Sequence, residues 1–118
     1  MRKVTRADVD QAIEAFQIAP QDRDTVAAAV RKSLQWFAQQ NPGRAVEVRV
    51  PPYLAVQVLG GTTHRRGTPP AVVEMTAQIW LDLFTQNMTW DVALKNGQVS
   101  ASGLRSELGL VLSPQADQ

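Results

Sequence analysis

The chain of 118 residues contains no cysteine and only one histidine. Without cysteine it forms no disulfide bond and offers no thiolate as a nucleophile or metal ligand. The absence of disulfides fits a reducing compartment, and the cytoplasm is the location that we predict.

Long apolar runs and a dominant charge are missing as well. No segment approaches the roughly 20 apolar residues of a membrane-spanning helix, and the basic N-terminal segment lacks the apolar region of a signal peptide. The 12 basic and 11 acidic side chains give a net charge of +1, so we expect no general attraction to nucleic acid or anionic membranes. The length and the 44% of hydrophobic residues predict one domain, residues 1–118, with its own core.

Sequence motifs of catalysis are absent too. The only histidine, His64, stands alone, whereas a zinc site needs three or four ligands and a nucleophilic triad needs a serine or cysteine beside its histidine. No glycine-rich loop opens a helix to hold phosphate. Glu74, Asp82 and Asp91 fit solvated faces or helix caps. We therefore predict no metal, no cofactor and no enzymatic activity.

Two helices are predicted before residue 41. Thr5 and Asp8 form a T-x-x-D capping box, and residues 1–20 are predicted to be a helical extension that packs on the domain or is an add-on peculiar to a subgroup of related chains. The second helix begins at Asp22 or Asp24 and ends at the Asn-Pro-Gly turn of 41–43.

Three strands are predicted next. Residues 44–50 alternate between apolar and charged side chains, which indicates an antiparallel strand with one wet face. Pro51 and Pro52 interrupt the ladder because neither has an N–H group to donate. Residues 53–59 and 71–75 are predicted as two further strands, separated by a Gly-Gly turn and a polar loop.

Residues 76–103 are predicted to be a helix, a joint, a short helix and a strand. Thr76 caps the first helix, and Asn87 ends it because asparagine tolerates left-handed backbone. Thr89 caps the second helix, and Gly97 stops it. Residues 98–102 alternate as a half-buried strand.

The C-terminal part contains a last apolar run and a tail. The run comprises Leu104, Leu108, Leu110 and Leu112, and its pattern leaves helix and extended structure both open. Residues 113–118 are polar and are predicted to be mobile.

The order of elements in residues 76–103 resembles the C-terminal half of the sterol carrier protein domain. The matching residues are Trp80, Leu83, Ala93, Gly97, Val99 and Gly103. Asn87 stands where the family usually has glycine. Segments 46–58, 64–74 and 99–103 are also similar to a small actinobacterial group described as sterol carrier family proteins, so the resemblance extends from Asp22 to Leu112.

The resemblance implies an α/β fold of the α+β type, with a curved, mostly antiparallel sheet that carries helices on one face. The family's usual tunnel lies between the sheet and the C-terminal helix. Its wall would here comprise Trp80, Leu83, Phe84, Val99, Ala101, Leu108 and Leu110. Aromatic residues at helical spacing more often simply pack a core, and the two interpretations do not exclude each other.

The most concentrated charge is the segment His64-Arg65-Arg66. It is either a solvated loop or an anion contact at the mouth of a pocket. We predict non-catalytic binding of an apolar or amphipathic small molecule, such as a lipid or fatty acyl chain, by a monomer or homodimer. The alternative is a structural or interaction module whose interface is exposed apolar surface around Trp36 and Trp90.

Overall fold

The computed structural model describes residues 3–59 and 71–102, which form four helices and four strands. In chain order the elements are α1 (Arg6–Ile18), α2 (Arg23–Gln40), β1 (Val46–Val50), β2 (Leu54–Val58), β3 (Ala71–Glu74), α3 (Ala77–Phe84), α4 (Trp90–Lys95) and β4 (Ser100–Ser102). The α/β class of the α+β type is confirmed. The predicted Gly-Gly turn and polar loop of 60–70, and everything predicted after residue 102, lie outside the described residues.

Each helix begins at a side chain that accepts a hydrogen bond from its first turn. Thr5 and Asp8 form the predicted reciprocal capping box of α1. Asp22, one of the two candidates, caps α2 by accepting from the Thr25 N–H. Thr76 and Thr89 cap α3 and α4 as predicted.

The C-terminal end of α3 differs from the prediction. The helix ends at Phe84, and Gln86, not Asn87, adopts the left-handed conformation, with a φ of 66°. The Gln86 N–H donates to the Leu83 carbonyl, and the Asn87 N–H donates to the Asp82 carbonyl. This pair of bonds is a Schellman motif, which satisfies carbonyls that a helix end otherwise leaves unpaired. These backbone hydrogen bonds therefore place the left-handed residue between α3 and α4 at Gln86, although glutamine has no special preference for that conformation.

The end of α4 repeats the same motif with the preferred residue. Gly97 has a φ of 71°. Its N–H donates to the Leu94 carbonyl, and the Gln98 N–H donates to the Ala93 carbonyl. The predicted glycine stop is thus confirmed.

The four strands form one mixed sheet in the order β2-β1-β3-β4. β2 pairs antiparallel with β1, β1 pairs parallel with β3, and β3 pairs antiparallel with β4. Two of the three pairings are antiparallel, in keeping with the predicted mostly antiparallel sheet. β2 and β4 are shorter than the predicted strands 53–59 and 98–102.

The two faces of the sheet differ in polarity. Val46, Val48 and Val73 are fully buried on one face, where the helices complete the core. Arg49 and Glu74 are register neighbours on the opposite, exposed face. Alternation of apolar and polar residues along β1 and β3 thus directs one face to the helices and the other to water.

Trp80 of α3 is the largest fully buried side chain among the described residues. Its indole Nε1–H donates to Ser33 Oγ of α2 at 2.8 Å, and the Ser33 hydroxyl donates to the Ala29 carbonyl at 2.6 Å. Ser33 is the one polar side chain in the buried part of the described core. The bond therefore joins α2 and α3 where water is excluded, and it satisfies the only polar atom of the indole.

Removal of the Ser33 hydroxyl should destabilise the domain. In Ser33→Ala the Trp80 N–H remains buried without a partner, which costs about 1–3 kcal/mol of unfolding free energy. Urea denaturation followed by tryptophan fluorescence measures this loss. The control is Ser100→Ala, at an exposed serine of β4, for which we expect little change. Equal stability of the two variants would contradict the assignment.

Gly97 should be intolerant of a Cβ atom for conformational reasons alone. A Cβ built at this position meets no atom within 4 Å, so no steric clash contributes. Gly97→Ala should cost about 1–2 kcal/mol, the penalty of left-handed backbone for an L-residue. Gly97→Asn should cost less, because asparagine visits this region more readily. The test is the urea midpoint of both variants, and an alanine variant as stable as the wild type would refute it.

Candidate functional site

Four of the predicted ligand-binding residues come together in the structure. Trp80, Leu83 and Phe84 lie on α3, Val99 precedes β4, and all four are buried in one apolar cluster. Of Ala101 the structure describes the backbone, which pairs in register with Val73. The remaining predicted residues, His64, Arg65, Arg66, Leu108 and Leu110, lie outside the described residues.

Aromatic rings form a row from the core toward the surface. Phe37 and Trp80 contact edge to face, with ring centroids 5.4 Å apart. Trp80 and Phe84 are 5.7 Å apart, and Phe84 meets the half-buried Trp36 edge to face at 6.2 Å. Such edge-on contacts are the favoured geometry of aromatic pairs. The row therefore packs the space between α2 and α3 and ends at the side of the domain that α1 covers.

The N-terminal helix packs on the rest of the described structure. Val9, Ala12 and Phe16 are buried against the core. Val4 and the Gln39 side-chain amide exchange two hydrogen bonds of 2.8 Å. The Arg6 guanidinium lies over the Trp36 ring, 4.9 Å from its centroid. α1 thus shields the outer end of the aromatic row.

A groove of about 730 Å³ opens between α1 and the C-terminal end of α3. Sequence reasoning did not find it, because its two sides are far apart in the chain. Its lining is mixed in polarity and comprises Arg6, Ala7, Asp10, Gln11, Ile13, Glu14, Gln17, Phe84, Thr85 and Gln86. Phe84 belongs both to this groove and to the buried aromatic row. The left-handed turn at Gln86 places the α3 terminus along the groove.

The two tryptophans of the alternative interaction surface are covered within the described structure. Trp90 is only 4% exposed, and Trp36 is half-buried beneath Arg6. Within the described residues these two tryptophan rings are therefore not themselves the exposed apolar surface that the alternative needs. In residues 3–59 and 71–102 the exposed large apolar side chains are Ile18 and Val92, which belong to different helices.

On the polar face of the described sheet, Arg49 and Glu47 form an ion pair. Arg49 donates a hydrogen bond to Glu47 at 3.1 Å. This bond and the charge of Glu47 raise the pKa of the Arg49 guanidinium, with a smaller contribution from Glu74. The guanidinium is charged at every physiological pH in any case, so this face is a solvated charged surface.

No group of three or more histidine or acidic side chains in the described part of the chain is arranged to hold a metal ion. Among the helices described, none is both long enough and apolar enough to cross a membrane.

The comparison with protein families gives one match. A family described as "Bacterial SCP ortholog", where SCP denotes sterol carrier protein, matches residues 22–113. The predicted resemblance of residues 22–112 is thereby confirmed. No curated protein is similar enough to the chain to count as a match. The matched residues begin at the N-cap of α2, so α1 lies outside the family's common part.

Because α1 is outside the matched residues, its contribution to stability is open to a direct test. Phe16→Ala removes a buried ring from the contact with the core and should cost about 3 kcal/mol in a single cooperative transition. Ile18→Ala, at a residue 79% exposed, should change the urea midpoint little. If α1 folded independently, Phe16→Ala would leave the main transition where it is.

Proposed function

The chain belongs to the family of bacterial sterol carrier protein orthologs, and from this membership we propose that it binds an apolar or amphipathic small molecule. The ligand class is a lipid or fatty acyl chain, bound without catalysis. The protein would act in the cytoplasm, consistent with a chain that has no cysteine. The carrier role extends beyond family membership and is supported by the observations that follow.

The observation that carries the proposal is the aromatic row that includes Trp80 and Phe84. Four predicted ligand-binding residues already share one apolar cluster. An acyl chain entering between α3 and β4 would replace contacts among these side chains with its own methylene groups. Burial of each methylene contributes about 0.8 kcal/mol, so a chain of moderate length could offset the opening of a packed cluster.

The other predicted residues supply the rest of the proposed site. Ala101, Leu108 and Leu110 would form the second apolar wall. His64, Arg65 and Arg66 would hold an anionic head group through charge-assisted hydrogen bonds. The head group and the chain would thus be recognised by different segments, which allows the two parts of the ligand to be tested separately.

The alternative, an interaction module without a small-molecule ligand, requires an exposed apolar interface. Trp90 is buried and Trp36 is covered by α1, which favours the small-molecule proposal. A contiguous apolar patch is what usually marks a protein interface, and within residues 3–59 and 71–102 the exposed large apolar side chains, Ile18 and Val92, belong to separate helices. We therefore propose a monomer.

The first test is native mass spectrometry of the protein purified from its expression host. A monomer that carries a fatty acid or phospholipid is the expected result, and laurate should then change the tryptophan fluorescence in a saturable way. A protein without passengers and without a response to laurate would refute the binding function. A mass that rises with concentration, without lipid, would support the interaction module instead.

Two variants distinguish the proposed contacts to the ligand's acyl chain from those to its head group. Phe84→Leu keeps an apolar side chain but removes the ring, and it should weaken the binding of both laurate and dodecanol. The double variant Arg65→Gln/Arg66→Gln should weaken the binding of laurate by about tenfold, because hydrogen bonds to charged groups contribute about 1.5–3 kcal/mol. Its affinity for dodecanol should be unchanged. Val92→Ala, at an exposed site of α4, is the control and should bind as the wild type does.

A further inference from the structure

The groove between α1 and the C-terminal end of α3 has a charge of its own. Among the described residues that line it, Arg6 is the one cation, against the two carboxylates Asp10 and Glu14. We propose that this groove is a second binding site, which takes an organic cation with an apolar part. The proposal uses none of the residues 64–66, and it does not depend on the lipid-binding function.

The size and lining of the groove suit a small ligand. Its volume of about 730 Å³ falls within the range of roughly 300–1,000 Å³ that is usual for small-molecule sites. Ile13 and Phe84 provide apolar contact, and glutamine side chains provide amide groups along the rim. Such a mixture fits a ligand that has both an apolar part and a polar end.

The distribution of charge selects a cation. Arg6 Nε donates to Asp10 Oδ1 at 3.1 Å, so these two groups largely neutralise each other. Glu14 follows Asp10 by one helical turn, and no residue in the described part of the chain forms an ion pair with it. The groove therefore retains a net charge of −1, which attracts cations and repels anions at short range.

Neighbouring aromatic rings favour the same sign of charge. The Arg6 guanidinium already lies 4.9 Å from the centroid of the Trp36 ring, so a cation is stable beside the aromatic row. Phe84, which meets Trp36 edge to face, lines the groove. A quaternary ammonium group between Phe84 and Glu14 would combine attraction to an aromatic ring with attraction to a carboxylate.

The groove is a feature of the N-terminal addition rather than of the common fold. Its α1 side comprises residues 6–17, whereas the family match begins at residue 22. The residues that give it negative charge, Asp10 and Glu14, both lie on this helix. The negative charge of the groove thus comes from α1, while the matched domain contributes Phe84, Thr85 and Gln86 to the opposite side.

The test is titration of the full chain with benzyltrimethylammonium and, in parallel, with benzenesulfonate, followed by amide chemical shifts. The cation should produce saturable shifts at Asp10, Glu14 and Gln86, and the anion should not. Raising the salt concentration should weaken binding, because an exposed charge is screened. No saturable shift with the cation, or equal binding of the anion, would overturn the proposal.

Two variants with the same change of charge identify the carboxylate. Glu14→Gln should weaken binding of the cation by about two- to fivefold, as expected for an exposed ion pair. Glu74→Gln, at an exposed residue of β3 outside the groove lining, should bind the cation as the wild type does. Equal affinity of the two variants would assign binding to overall charge and overturn the proposal. Laurate titrations of the same variants report on the lipid-binding function independently.

Discussion

The described structure depends on the burial of Trp80 between α2 and α3. An indole buried in an apolar core carries an N–H group that must find an acceptor, and Ser33 provides it from the neighbouring helix. The serine stays satisfied because its own hydroxyl bonds back to α2. One hydrogen bond thus fixes the rotation of α3 relative to α2. α3 also contributes Leu83 and Phe84 to the core. The Trp80–Ser33 hydrogen bond therefore helps to position the apolar cluster that is proposed to contact a ligand.

The two Schellman motifs set the direction of the chain after α3 and after α4. The turn at Gln86 aims the chain from α3 into α4, and the turn at Gly97 aims it from α4 toward β4. Both satisfy helix-end carbonyls with backbone donors. The first has Gln86 in the left-handed conformation, so the fold outweighs a local penalty of about 1–2 kcal/mol for an L-residue there.

Local sequence signals predicted much of the fold and little of the site. Capping residues such as Thr5 and Thr89, and the alternation along β1, are effects of neighbours within a few positions, so they can be read from a sequence. The left-handed residue at the end of α3 could not be read from the sequence in this way. Asn87 is the better local candidate, and the tertiary structure places the left-handed conformation at Gln86 instead. The parallel pairing of β1 with β3 and the shared lining of the groove by α1 and Phe84 bring together segments that are far apart in the chain. No local period encodes such contacts.

Covering the aromatic row with an added helix has a chemical consequence. A row that ends in Phe84 and Trp36 would present apolar rings to water if nothing lay over it. α1 covers it with Arg6 on the Trp36 ring and with its own apolar face against the core. A helix that covers apolar surface must turn a polar face outward, and here that face carries Asp10 and Glu14 beside Phe84. Protection of the aromatic row and the negative charge of the groove therefore have the same physical origin, the amphipathic character of α1.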